Sequence, residues 1–96
     1  MSERGVLAEV AAERKRQDAQ WGGPQRDDAL PVSTFCQLVE DYAGWARVKA
    51  REGSLADARH RLLQAAALAV AAVESLDRRL TGSAEATPGG ESLRWE

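Results

Sequence analysis

A chain of 96 residues that is 44% apolar and 29% charged is long enough for one hydrophobic core and too short for two that fold independently. Thirteen Lys and Arg against fifteen Asp and Glu leave a net charge of −2, with no excess of either sign that by itself implies nucleic acid or an acidic membrane as partner. A single cysteine, Cys36, excludes an intramolecular disulfide framework and a cysteine-rich metal site.

Eighteen alanines, with few β-branched or aromatic residues, predict an all-α fold, because alanine is the best helix former and strands favour the residue types that are scarce here. The first helix is expected over about 2–20, with Val6, Leu7, Val10 and Ala11 as its apolar stripe. By heptad steps Val6 and Val10 lead into Glu13 and Gln17, so two polar groups point toward the interior and need partners there. The segment 21–32 contains Gly22-Gly23-Pro24, Asp27-Asp28 and Pro31 without apolar periodicity and reads as a loop, unusually long for a helix connection.

A second helix is expected over 33–51, capped by Ser33 or Thr34, with Phe35, Leu38, Val39, Tyr42, Trp45 and Ala46 at three- and four-residue steps. Gly53 ends it. A third helix, over 54–80, starts at Ser54 and carries Leu62, Ala66, Ala69, Val73, Leu76 and Leu80, spaced 4, 3, 4, 3, 4, which keeps one seam facing a partner helix of the same chain. The alanines at 65, 66, 67, 69, 71 and 72 give small faces on more than one side, and a second such face is more than a three-helix domain needs, so a homo-oligomer is expected. The stretch 81–96, rich in Gly, Ser, Thr and Pro and ending near Trp95, reads as a flexible tail. The longest apolar run, Leu62 to Val73, is interrupted by Gln64 and falls short of the ~20 apolar residues of a spanning helix. With no signal-peptide pattern at the start, a cytoplasmic protein is expected.

Several residues have both an ordinary and a functional reading. Glu13-Arg14-Lys15-Arg16-Gln17 is either a helix end neutralised by ion pairs or an anion pocket in which Arg14 or Arg16 forks onto phosphate. Glu40 and Asp41 are either solvated acids or part of a magnesium site, which in a helical bundle needs further carboxylates one turn away on a facing helix. The facing helix instead offers Arg59, His60, Arg61 and Gln64. His60, between two arginines and without a second histidine or cysteine at ligand spacing, reads as a surface residue. Arg47, Lys49, Arg51, Arg59, His60 and Arg61 around Gly53 form either a solvated basic end or an anion-binding rim.

The order Ala12-Glu13-Arg14-Lys15-Arg16-Gln17, Trp21-Gly22, Asp27-Asp28, a Leu38 to Ala46 helix, then Leu62-Leu63-Gln64-Ala65-Ala66-Ala67-Leu68 through Glu74-Ser75-Leu76-Asp77-Arg78 resembles small phage and prophage proteins of the MazG-like, all-α nucleotide pyrophosphohydrolase group over residues 6–80. The resemblance implies helices packed into a dimer or tetramer. It also implies magnesium held by acidic pairs on two helices, and cleavage of a nucleoside triphosphate to monophosphate and pyrophosphate. Where that group has Glu-Glu-x-Gly-Glu, this chain reads Glu40-Asp41-Tyr42-Ala43-Gly44, and where it has Glu-Leu-x-Asp, this chain reads Arg61-Leu62-Leu63-Gln64. Three of four implied ligands are therefore not carboxylates.

The expectation that follows is a non-catalytic, cofactor-free protein that binds a nucleotide or nucleotide-derived signal on a degenerate MazG-like scaffold, for which a phage counter-defence role is one setting. Its ligand contacts are expected from Glu13, Arg14, Arg16, Gln17, Trp21, Asp28, Tyr42, Arg59 and Arg61. One alternative is a magnesium-dependent pyrophosphohydrolase using Glu40 and Asp41, with Glu13, in an altered site. Another is a protein-binding inhibitor module.

Overall fold

The computed structural model describes residues 2–86, all of whose regular structure is helical: α1 (Glu3–Trp21), α2 (Gly23–Ala29), α3 (Val32–Arg51) and α4 (Leu55–Ala86). The all-α expectation holds. No helix is long and apolar enough to cross a membrane among the described residues.

Ser2 starts α1 by accepting the Gly5 N–H on its hydroxyl at 3.1 Å, which satisfies one of the orphan donors of the first turn. At the other end Gly22 adopts φ 108° and donates its N–H to the Asp18 carbonyl at 3.0 Å, a left-handed cap that glycine adopts without a Cβ penalty. The chain then turns directly into α2. The expected loop over 21–32 is thus a correction: Pro24 lies in the first turn of α2, where its missing N–H costs nothing, so the proline and glycines punctuate a seven-residue helix. Pro31, rather than Ser33 or Thr34, caps α3, and it makes no side-chain bond. Gly53, at φ 84°, turns the chain between α3 and α4. The third expected helix is α4, whose 32 residues span roughly 48 Å at ~1.5 Å per residue. It continues to Ala86, so residues 81–86 are helical where a tail was expected. Residues 87–96, with Trp95, lie outside the described residues.

α4 is the spine, with α1, α2 and α3 each packed against it. The core is Val10 from α1, Phe35 and Ala46 from α3, and Ala58, Ala65, Ala67, Leu68 and Ala71 from α4. Alanines on α4 let neighbouring backbones approach closely, and Phe35 and Leu68 are the largest fully buried apolar side chains among the described residues. This reverses the expected assignment of faces on α4. The alanine face is the one the chain buries, whereas Leu62 and Val73 of the leucine seam are 54% and 56% exposed. On α1 the buried stripe is narrower than expected, for Leu7 and Ala11 face outward while Val10, Glu13 and Gln17 face α4.

Candidate functional site

The polar end of α1 enters the core intact. Glu13 and Gln17 are buried, and each group finds partners. Arg16 donates from Nε to Glu13 Oε1 at 3.0 Å and from Nη2 to Oε2 at 2.5 Å, a two-pronged charge-assisted contact. Gln17 Nε2 donates to Glu13 Oε2 at 3.1 Å and to the Gln64 carbonyl at 3.3 Å. The Arg16 guanidinium holds the Glu13 carboxyl below its usual range against the opposing pull of burial.

Gln64, also buried, extends the network into α3. Its Oε1 accepts from Arg61 Nη1 at 3.1 Å. The Arg61 guanidinium in turn lies 5.5 Å from the Trp45 ring centroid and 5.9 Å from that of Tyr42. The two rings meet edge to face at 4.8 Å. A guanidinium over aromatic faces is held by the ring quadrupoles, and Trp45 remains half exposed. Trp45, Val48, Lys49 and Arg61 line an open crevice of about 400 Å³. It offers two cations, an exposed indole and an aliphatic wall, and such a surface can stack a planar ring while neutralising an anion.

Of the nine expected contacts, the structure joins Glu13, Arg16, Gln17, Tyr42 and Arg61 through shared partners or neighbouring charge. The other four are engaged elsewhere. Arg14 pairs with Glu74 at 2.7 Å and lies 4.0 Å from Asp18. Arg59 forks onto Glu9 at 3.0 and 2.6 Å. Asp28 meets Arg78 and Ser75. Trp21 lies against Arg26, 5.6 Å from ring to guanidinium. The space beneath Trp21, floored by Phe35 and Leu68, is only about 10 Å³, which is water-sized, and Arg16 and Tyr42 do not line it. Trp45 and Gln64 are not among the nine expected contacts, and Lys49 is expected only as part of the basic rim around Gly53. Trp45 follows Tyr42 by three residues on one helical face, and that spacing signals a core stripe and a stacking platform equally well.

The residues do not fit the magnesium site that the MazG-like resemblance implies. Glu40 is exposed and lines a groove with Val39 and Val73. Asp41 accepts from Gln37 Nε2 at 2.9 Å. Arg61 brings a positive charge to the position of an implied ligand. Among the described residues no three His, Cys, Asp or Glu side chains converge as a ligand set.

Comparison with protein-family models, with curated proteins and with solved structures yields no match for this chain.

Proposed function

We propose that the chain binds a nucleotide or nucleotide-derived ligand without hydrolysing it, in the crevice between Trp45, Lys49 and Arg61, on a MazG-like scaffold that has lost its metal ligands. The observation that carries the reading is Arg61, fixed by Gln64 and stationed over Tyr42 and Trp45 beside Lys49. A base stacked on the Trp45 indole gains ~1–3 kcal/mol, and Arg61 with Lys49 offers a fork and a point charge to phosphate. Hydrolysis through magnesium lacks its carboxylates, since Gly44, Arg61 and Gln64 occupy three of the four implied positions and two hard cations need several convergent oxygens. Such a protein acts by sequestering its ligand.

Isothermal titration with mono-, di-, tri- and cyclic nucleotides tests the proposal. Binding is expected for at least one class, lost in Trp45→Ala and Arg61→Ala and kept in Trp21→Phe. No heat with any nucleotide overturns it. Pyrophosphate release from nucleoside triphosphates at ~1 per second or faster, dependent on magnesium and abolished by Asp41→Ala, establishes the hydrolase alternative instead.

A further inference from the structure

α3 and α4 leave an open apolar groove of about 400 Å³ between them, walled by Val32, Cys36 and Val39 on one side and by Ala69, Val73 and Leu76 on the other. Leu80 extends the second wall by one helical turn and is exposed, as are Val32, Cys36 and Val73. Val32 opens α3, and Leu76 lies ten residues before Ala86, the last described residue of α4. One end of the groove therefore faces the point from which residues 87–96 continue. The groove and the Trp45 crevice share no lining residue, so what fills the one is independent of what binds in the other.

We propose that this chain's own residues 91–95 fill the groove, folded back along α4 as an extended segment with Trp95 seated among Cys36, Val73 and Leu76. The sequence supplies the reversal: Thr87-Pro88-Gly89-Gly90 has proline second and glycine third, the order of a type II turn, which brings its ends within ~7 Å. An extended segment leaving Gly90 rises ~3.3 Å per residue, against ~1.5 Å per residue along the helix it retraces. Leu93 stands three residues after Gly90, so it comes back roughly 10 Å, about seven helical residues, to the level of Leu80. Trp95 stands five residues after Gly90 and comes back roughly 16 Å, about eleven helical residues, to the level of Leu76.

Chemistry agrees with that register. Alternate residues of an extended segment share a face, as do helical residues four apart, so Leu93 and Trp95 meet Leu80 and Leu76 as two matched apolar pairs. Between them Arg94 comes level with Asp77, which is exposed and has no ion-pair partner among the described residues. An indole closed into such a slot removes about 150–250 Å² from water. Tethering holds a segment at ~mM effective concentration, so even weak docking keeps the groove closed.

Cys36, the single cysteine, lines the groove and reports its closure through its rate of reaction with dithionitrobenzoate. In the full chain, Leu93→Ser with Trp95→Ser is expected to speed that reaction about tenfold while the helical circular dichroism spectrum stays unchanged. The wild-type rate is expected to be the same at about 1 and 100 μM protein, because the docking is intramolecular. The emission that Trp95→Phe removes from the wild-type spectrum isolates Trp95; it is expected at shorter wavelength than that of a water-exposed indole, and Val73→Glu is expected to move it to the exposed position. Equal thiol rates in the wild type and the double serine variant overturn the proposal, as does a Trp95 emission already at the exposed position in the wild type. Protection of Cys36 that falls on dilution assigns the groove to a second molecule and overturns it too.

Discussion

Arg78 closes on Asp28 across the gap between α2 and α4, donating from Nη2 at 2.7 Å and from Nε at 3.1 Å to one carboxylate oxygen and at 3.1 Å to the other. The buried Ser75 hydroxyl donates to the same carboxylate at 2.8 Å. One residue on, Arg79 Nη2 donates to the carbonyls of Asp27 and Leu30 at 2.8 and 2.6 Å. Seven residues of helix have little apolar surface of their own, and these bonds fasten α2 to the spine.

The Asp28 contact sets an acid limit on stability. The Arg78 and Ser75 bonds draw its carboxyl from the ordinary 3.8 down to about 2. The ionised form is favoured in the fold, so its contribution is complete above the unfolded value and disappears as pH falls through the folded one. Urea midpoints should therefore fall between pH 4 and pH 2, and the fall should be smaller in Asp28→Asn. An equal fall in the variant would show that the loss lies elsewhere. Asp27 has the opposite sign, because burial and the neighbouring Asp18 push its carboxyl up and its ionised form opposes folding at neutral pH. Asp27→Asn keeps the carbonyl that Arg79 uses and should not lower the melting temperature at pH 7.

Gly22→Ala tests how α1 hands over to α2. At φ 108° an L side chain is strained wherever it points, and the added Cβ would also meet the Arg26 Cβ at 3.4 Å. A cost of about 1–2 kcal/mol is expected from the left-handed conformation alone. Thermal unfolding followed by circular dichroism reads it. Gly44→Ala is the control, with nothing within 4 Å of its added Cβ, and a helix interior should gain about 0.5–1 kcal/mol from the exchange.

The helical class and the start of α1 are legible in the sequence because alanine content and the Ser2 cap act locally. The buried polar end of α1 is legible too, since heptad steps from Val10 reach Glu13 and Gln17 whatever they pack against. The α2 helix is not, because its residues have no apolar period and its hold comes from Arg78 and Arg79 some fifty residues away. Nor is the choice of face on α4. Periodicity identifies Leu62, Val73 and Leu80 as a seam but says nothing about whether the helix they meet belongs to the same chain. The partners of Arg14 and Arg59 are lost for the same reason: an arginine in a basic run looks available until Glu74 and Glu9 arrive from other helices.

Glu13 anchors the site from below, and removing its charge should separate stability from ligand binding. Glu13→Gln leaves Arg16 without a charged acceptor and sets an amide against the Gln17 amide in a buried place. Loss of a charge-assisted bond to a buried group costs about 1.5–3 kcal/mol, read as a lower urea midpoint. Lys49 is half-exposed and its one ion pair among the described residues is with Glu52, at 3.5 Å, so Lys49→Ala should leave the midpoint within about 0.5 kcal/mol. If both variants lower stability equally, the crevice is part of the folding core and its open side is not a free surface.

Leu68→Ala and Leu62→Ala compare the two faces of α4 with one chemical change. Leu68 is 2% exposed and packs where α1 and α3 converge on the spine, so its truncation leaves a cavity and should cost about 2–5 kcal/mol. Leu62 is 54% exposed and in a single chain should cost less than about 1 kcal/mol, since little of it leaves water on folding. The second figure depends on association. If α4 seats a second copy on its leucine seam, binding to the folded state adds to apparent stability by mass action, and the melting temperature of the wild type should rise with protein concentration. Leu62→Ala should flatten that rise, whereas Leu68→Ala should lower the curve at every concentration. A wild-type melting temperature independent of concentration, with Leu62→Ala silent throughout, would mean that the seam stays in water.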